Sequence, residues 1–357
     1  MKTRISVIIP VYNADKYIKR CLDSLIGQTI GMENIQLIIV DDASNDSSLE
    51  NVLEYERKYP ENILIVSLKE NGGQANARNI GMSYANSPYI TFVDADDWVE
   101  LDIYEKMLEP AEKYQCDVIQ CQIVEEIEGA KAKYQEEVSA PGIYRTKSEQ
   151  EKKEFFRIWK SPGVIGNTLY STKWVLENQF QFRHFEKYED NYWAGVFLYF
   201  FRSIYIMPEF LYHYRISEFS NSHERNDAAH FVRLEIEIEK LKYYSKKGLF
   251  DKYYEEIREQ FLKGFYANTL HIICCKFDIF PLEKVQWMQS IVREIFPDYL
   301  VYCKESKLFI NSVITVSFDF SLDIWEEYKK AYLDWIGIGK KEKIIQFYMA
   351  MRSVLDL

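Results

Sequence analysis

The sequence predicts an α/β fold with a helical appendage, on three observations. Through the first hundred residues, short β-branched runs alternate with helical stretches. Those runs are continuously apolar, the pattern of strands in a parallel sheet covered on both faces. From about Ser217 onward the strand-like runs give way to apolar residues spaced by three and four.

Residues 5–11 (ISVIIPV), 35–40, 63–68 and 89–93 read as strands, and residues 14–28, 47–59 and about 75–85 as the helices between them. The acidic stretch 125–137 reads as a solvated connection, followed by short strands at 167–170 and 204–206. Further on, Phe231, Leu234, Ile238 and Leu241 mark one helix face. Ile257, Phe261 and Phe265 mark a second, and Val285, Met288 and Val292 a third. Gly248 and Pro281 fall between them as helix stops. At 357 residues the chain exceeds what one core organises, so the expected division is an α/β domain at 1–216 and a helical domain at 217–357.

Composition narrows the function classes. With 47% apolar and 28% charged residues the chain is neither disordered nor fibrous. A net charge of −11 with no Lys/Arg block excludes nucleic acid as the main partner. The six cysteines form no CxxC and no apolar signal-peptide core opens the chain, so reduced thiols of a cytoplasmic protein are expected. Residues 192–214 are largely apolar, but Arg202 and Pro208 favour a buried helix running into a strand, and no transmembrane helix is expected. No GxGxxG follows the first strand, which argues against a dehydrogenase. No Lys/Arg-rich triphosphate loop lies there either, which argues against a nucleotidyltransferase.

Open α/β sheets bind ligands beyond the carboxyl ends of their strands, and three strands end in polar clusters. These are Pro10-Val11-Tyr12-Asn13, Asp41-Asp42-Ala43-Ser44 and Asp94-Ala95-Asp96-Asp97. Any one alone is explained as a helix cap or turn. Three carboxylates in four residues repel one another, however, and a hard divalent cation that bridges to phosphate relieves that repulsion. Asp41 or Asp42 can accept from a base imide or ribose hydroxyl, and Tyr12 can offer its face to the base. Gly72 and Gly73 precede the helix carrying Arg78, which directs backbone N–H groups and a guanidinium toward the same ligand. His184, His213, His230 and His271 lack metal-ligand spacing and read as structural, with His223 a weaker candidate for the diphosphate region.

In order and spacing, ISVIIPVYN, LIIVDDAS, NGGQANARNIG and FVDADDW resemble the N-terminal half of glycosyltransferase family 2. The resemblance continues through GNTLYS, Tyr188-Glu189-Asp190 and Leu211-Tyr212-His213-Tyr214-Arg215 to Ser220 and Ser222, covering about residues 4–223. It implies a GT-A fold and inverting transfer of a sugar from a nucleotide-diphosphate sugar, with UDP as the expected nucleotide. The family's DXD carboxylates match Asp94 and Asp96, flanking Ala95. Asp96 is then the direct contact to Mn²⁺ or Mg²⁺, and Asp97 its alternative. Nucleoside contacts match Pro10, Tyr12, Asp41 or Asp42, and Arg78. The catalytic base matches Asp190, although Lys187-Tyr188 precedes the acidic pair where the family often has a small residue.

Inversion needs one carboxylate to take the acceptor hydroxyl's proton, whereas a hydrolase would flank the bond with two carboxyl groups. At the start of a helix expected near Asn191, Asp190 can also serve as N-cap. The resemblance implies a glycan or lipid-linked acceptor in cell-surface polysaccharide synthesis, at the cytoplasmic face of the membrane. Near the C-terminus, Lys340, Lys341, Lys343 and Arg352 surround Ile344, Ile345, Phe347, Tyr348 and Met349. That pattern suits peripheral membrane contact, docking on the helical core, or a homodimer interface. The competing reading is a catalytically inactive glycan- or nucleotide-sugar-binding protein on the same fold, against which the intact Asp94, Asp96 and Asp190 argue.

Overall fold

The structure is a computed structural model that describes residues 3–135, 139–159, 165–216 and 225–299, with residues 301, 330 and 333. Two compact units divide the chain, residues 1–220 and 221–357.

The first unit opens with β1 (Ile5–Val11), α1 (Ile18–Ile26), β2 (Ile35–Asp41), α2 (Ser48–Lys58), β3 (Ile63–Ser67), α3 (Gly73–Tyr84) and β4 (Tyr89–Phe92). It continues through β5 (Trp98–Val99), α4 (Ile103–Tyr114), β6 (Val118–Ile127), β7 (Lys133–Tyr134), β8 (Gly142–Arg145) and α5 (Glu149–Ile158). Then follow β9 (Thr168–Ser171), α6 (Thr172–Glu177), α7 (Glu189–Phe197) and β10 (Ser203–Ile216). Among the described residues these strands form one sheet with the path β3-β2-β1-β4-β9-β6-β10-β5.

The four strands expected in the first hundred residues are parallel, as their apolar runs implied, and the sheet becomes mixed only where later strands join it. β3, β2, β1 and β4 are parallel, as are β6 and β10, but β9 runs antiparallel to both β4 and β6. Apolar periodicity marks a strand without giving its direction. β9 enters between β4 and β6 because its Thr172 end is held at β4, where Thr172 N–H donates to Pro88 O at 2.9 Å.

Two lengths also differ from expectation. β6 continues through Glu125 and Glu126, inside the stretch read as solvated, because both residues pair in register with β10. β10 spans 14 residues despite Pro208. Its register shifts between Ile206 and Phe210, so the proline falls in a bulge where no ladder N–H is required.

β1 and β2 lie in the middle of the core, where Ile5, Val7, Ile8, Ile9, Leu37, Ile38, Ile39 and Val40 are fully buried. Each such side chain contributes about 1.5–3 kcal/mol of burial free energy. α1 packs Cys21, Leu22 and Leu25 inward. It begins at Ile18 instead of residue 14 because Ala14 O first accepts the Tyr17 and Ile18 N–H groups in a turn. α3 approaches β1 closely through Gly81, where an added Cβ would lie 2.4 Å from Ile8 Cγ2.

In the second unit the described helices are α8 (Val232–Lys246), α9 (Tyr254–Phe261), α10 (Asn268–Lys276) and α11 (Leu282–Ile295). A π-helical stretch, Leu262–Ala267, joins α9 to α10 without a break. Leu234, Leu241, Ile257, Phe261, Phe265, Val285, Met288 and Val292 are buried here. Among the described residues no helix is long and apolar enough to cross a membrane. Residues 192–214 instead form the end of α7 and most of β10. Ser220, Ser222, His223, Cys303 and the basic stretch 340–352 lie outside the described residues.

Candidate active site

Register brings the polar clusters to one sheet edge. Val11 pairs with Asp41 and Asp41 with Ser67 at the carboxyl ends of β1, β2 and β3. β4 runs parallel to β1, so the Asp94–Asp97 loop leaves at the same edge. The loops after β1 and β2 are laced together. Asn13 N–H donates to Ser44 Oγ at 3.1 Å, and Asn45 N–H donates to Asn13 Oδ1 at 2.8 Å. Asn13 and Ala43 both have positive φ, of 49° and 60°, conformations that cost about 1–3 kcal/mol each and cluster at ligand sites.

The two neighbouring aspartates of β2 have different employment. Asp42 accepts from Gly72 N–H and Gly73 N–H, one on each carboxylate oxygen at 2.8 Å. This corrects one expectation, because those N–H groups are not left for a nucleotide. Asp41 is buried, and its Oδ2 accepts from Ser67 Oγ at 3.3 Å. Its Oδ1, also buried, has no hydrogen-bond partner. Such an acceptor is unfavourable unless a ligand supplies a donor. Pro10 is buried in β1, while Tyr12 is 47% exposed at the strand's end.

After β4, three carboxylates separate into different roles. Asp97 accepts from Tyr212 Oη and from Arg215 N–H at 2.8 Å, one on each oxygen, and is 1% exposed. Burial, followed by the charges of Asp96 and Asp94, pushes its carboxyl well above the ordinary aspartate range. Asp97 therefore anchors β10 to this loop. Ala95 is buried between the other two. Asp96 is pushed up to about 6 by desolvation in the crevice and by the charge of Asp94, with Arg215 opposing. Arg215 Nη1 lies 3.6 Å from Asp96 Oδ2, and its guanidinium stacks 3.9 Å above the Tyr17 ring.

Asp94 and Asp96 are thus the pair available to a divalent cation. No group of three His, Cys, Asp or Glu side chains with ligating geometry exists among the described residues. Two crowded carboxylates fit a Mg²⁺-type ion that completes its shell with phosphate oxygens and water, and do not fit an all-protein cage.

Arg78, expected to touch the nucleoside, is 1% exposed and bound elsewhere. Its Nη2 donates to Asp94 Oδ1 at 2.7 Å and its Nη1 to Glu189 Oε1. The signal was present in the sequence. Ala75, Arg78 and Gly81 lie at three-residue spacing on the buried face of α3, and an arginine there requires buried carboxylates. One residue on, Asn79 pins the loop before α7: its Nδ2 donates to Phe182 O at 2.8 Å and its Oδ1 accepts from Phe182 N–H at 2.9 Å.

α7 begins at Glu189 after Tyr188, whose φ is +67°. Asp190 is therefore inside the first turn and is not the N-cap. Its Oδ1 accepts from Asn191 N–H at 2.9 Å. Burial and the neighbouring Glu189 charge raise its carboxyl to about 6, while Arg78 pulls it down. Of the acidic pair, Glu189 is the member held by Arg78.

His213 stacks on Trp98 and bonds Glu126 and Glu100 at 2.8 Å each. Sequence reasoning missed Arg215, Tyr212 and Tyr17 as site residues, because only the fold of β10 carries its carboxyl end to the Asp94–Asp97 loop.

Comparison with known proteins agrees with this geometry. The model of the family "Glycosyl transferase family 2" matches residues 6–175. GgaB of Bacillus subtilis, a minor teichoic acid biosynthesis protein, is 48% identical over 103 residues, which are 29% of this chain and 11% of GgaB. EpsH of the same organism is 32% identical over 218 residues, 59% of this chain and 60% of EpsH. The poly(ribitol-phosphate) beta-glucosyltransferase of Bacillus spizizenii is 43% identical over 96 residues, 27% of this chain and 15% of that one. The chain thus spans less than two thirds of the length of each of these relatives. Among solved structures, S. aureus TarS 1–349 in complex with UDP-GlcNAc superposes with a TM-score of 0.66 at 17% identity, covering 99% of this chain and 92% of that one. The Pyrobaculum calidifontis mannosyltransferase PcManGT, in complex with GDP-Man and Mn²⁺, gives a TM-score of 0.51 at 13% identity, covering 100% of this chain and 88% of that one. These likenesses give a GT-A fold, and the match to glycosyltransferase family 2 covers residues 6–175, from β1 through β9 and into α6.

Proposed function

We propose that the chain is an inverting glycosyltransferase that moves a sugar from a UDP-sugar to a hydroxyl of a surface polymer. The observation that carries this reading is the link, through the single buried Arg78, between Asp94 on the donor side and the acidic pair Glu189–Asp190. Asp41 Oδ1 accepts the base imide proton, and Tyr12 lies against the base. Asp94 and Asp96 are the residues that would hold Mn²⁺ or Mg²⁺, which would supply charge stabilisation to the departing diphosphate. Arg215, beside Asp96, adds positive charge at the same place. Asp190 takes the acceptor proton as the hydroxyl attacks the anomeric carbon; a carboxylate near pKa 6 is ionised at pH 7 yet basic enough to help.

TarS bound to UDP and UDP-GlcNAc supports the choice of nucleotide. GgaB and the poly(ribitol-phosphate) beta-glucosyltransferase support a teichoic-acid-type acceptor. The test is transfer from a panel of UDP-sugars with Mn²⁺ onto polyol-phosphate and glycan acceptors. Asp190→Asn should lower turnover by about 10² or more while UDP binding persists. Tight binding of a UDP-sugar with neither transfer nor hydrolysis across the panel would favour the inactive binding protein.

A further inference from the structure

Arg78 has no place in the chemistry of transfer, yet the site is built around it. It sits on the buried face of α3 with Ala75, Ala77 and Gly81, where a lone guanidinium would be strongly unfavourable. Its two terminal nitrogens serve two different elements. Nη2 holds Asp94 Oδ1 at 2.7 Å in the loop after β4, and Nη1 holds Glu189 Oε1 in the first turn of α7. The guanidinium carbon lies 5.3 Å from the Phe182 ring, which is stacked on Trp193 at 4.3 Å and held edge-on by Phe92 at 5.1 Å. Packing thus fixes the Phe182 ring beside the guanidinium, and Asn79 fixes its backbone.

We propose that Arg78 is a positioning residue that sets the distance and angle between the donor-holding carboxylates and the acidic helix start, so that donor and base arrive in register for in-line attack. This rests on Asp94 acting on the donor side and Asp190 acting as base. A planar fork with N–H groups on separate edges can hold two carboxylates at once in fixed geometry, whereas an ammonium is a point charge without that planar fork. Holding Glu189 also frees Asp190 from competition, since the pair's other carboxylate is occupied. Arg78 further offsets the repulsion that Glu189 and Asp94 exert on Asp190. Misplacement by about 1 Å costs a transfer reaction about 10²-fold, which is the scale on which such a clamp acts.

Two variants of the full chain test it, using the UDP-sugar and acceptor that the transfer panel identifies. Glu189→Gln keeps size and an acceptor oxygen but releases the charged end of the clamp at α7. Its kcat should fall about 10- to 100-fold, while UDP affinity with Mn²⁺ and donor KM stay within about twofold. Arg78→Lys should lower kcat similarly and also raise donor KM, because one ammonium must serve both partners. A purely structural role would lower the melting temperature and leave kcat and KM of the folded enzyme unchanged. Folded Glu189→Gln with wild-type kcat overturns the proposal, and it carries the test alone if Arg78→Lys does not fold. Asp190→Asn is measured alongside. If it turns over normally while Glu189→Gln does not, Glu189 is the base, and both the base reading and the clamp fall. If both variants lose turnover and keep UDP affinity, both stand.

Discussion

Asp41 and Asp42 adjoin in sequence, yet their oxygens are differently partnered. Both Asp42 oxygens close the Gly72–Gly73 turn, whereas Asp41 keeps a buried oxygen without a donor. Asp41→Asn should therefore weaken UDP binding by about tenfold, since hydrogen bonds to charged groups contribute about 1.5–3 kcal/mol. The melting temperature of the free protein should hold or rise; calorimetry and thermal unfolding on one preparation check both. At Asp190 the pKa is raised from 3.8 to about 6, so the folded state binds the proton more tightly than the unfolded chain. The sign follows from linkage: ionisation destabilises the fold fully above about pH 6, and the penalty is relieved as pH falls toward 4. Asp190→Asn should accordingly melt higher than the wild type at pH 7.5, with the difference vanishing near pH 4. A variant that melts lower at pH 7.5 would contradict the burial account. The same titration makes wild-type transfer fall as pH drops through about 6, measured as kcat/KM against pH.

At the scale of elements, the site depends on how closely β10 is held to the loop after β4. Tyr212 in β10 reaches Asp97 because Gly166 leaves room: an added Cβ there would lie 2.3 Å from the Tyr212 ring. Gly166→Ala should then lower stability by about 1–3 kcal/mol through overpacking. It should also raise donor KM, since displacing Tyr212 disturbs the loop that carries Asp94 and Asp96. Denaturant unfolding and donor kinetics on Gly166→Ala and Tyr212→Phe separate the two effects. Tyr212→Phe removes only the hydroxyl, so it should keep most of the stability and still weaken donor binding.

At the scale of the whole molecule, every donor-side residue named above lies in the unit spanning residues 1–220. UDP with Mn²⁺ at a hundredfold excess over its Kd should stabilise that unit by about 2.7 kcal/mol. Amide exchange should slow at residues 11–13, 41–44 and 94–97 and stay unchanged across α8 to α11. Protection confined to the helical unit would place the ligand elsewhere.

Much of this was already written in the order of residues. β-branched runs determined β1, β2, β3 and β4 and the edge where the polar clusters gather, because a buried strand must be apolar and its end must not be. The crowding of Asp94, Asp96 and Asp97 determined that charge had to be managed there. Tertiary structure alone decided which carboxylate does what. Asp42 and Asp97 are hydrogen-bonded by Gly72, Gly73, Tyr212 and Arg215, and Glu189 by an arginine 111 residues away in sequence. β9's direction, β10's length past Pro208 and the burial of Arg78 belong to the same class. Each is set by partners distant in the chain, and a hydrogen bond or ion pair between distant residues leaves no periodicity for local sequence to carry.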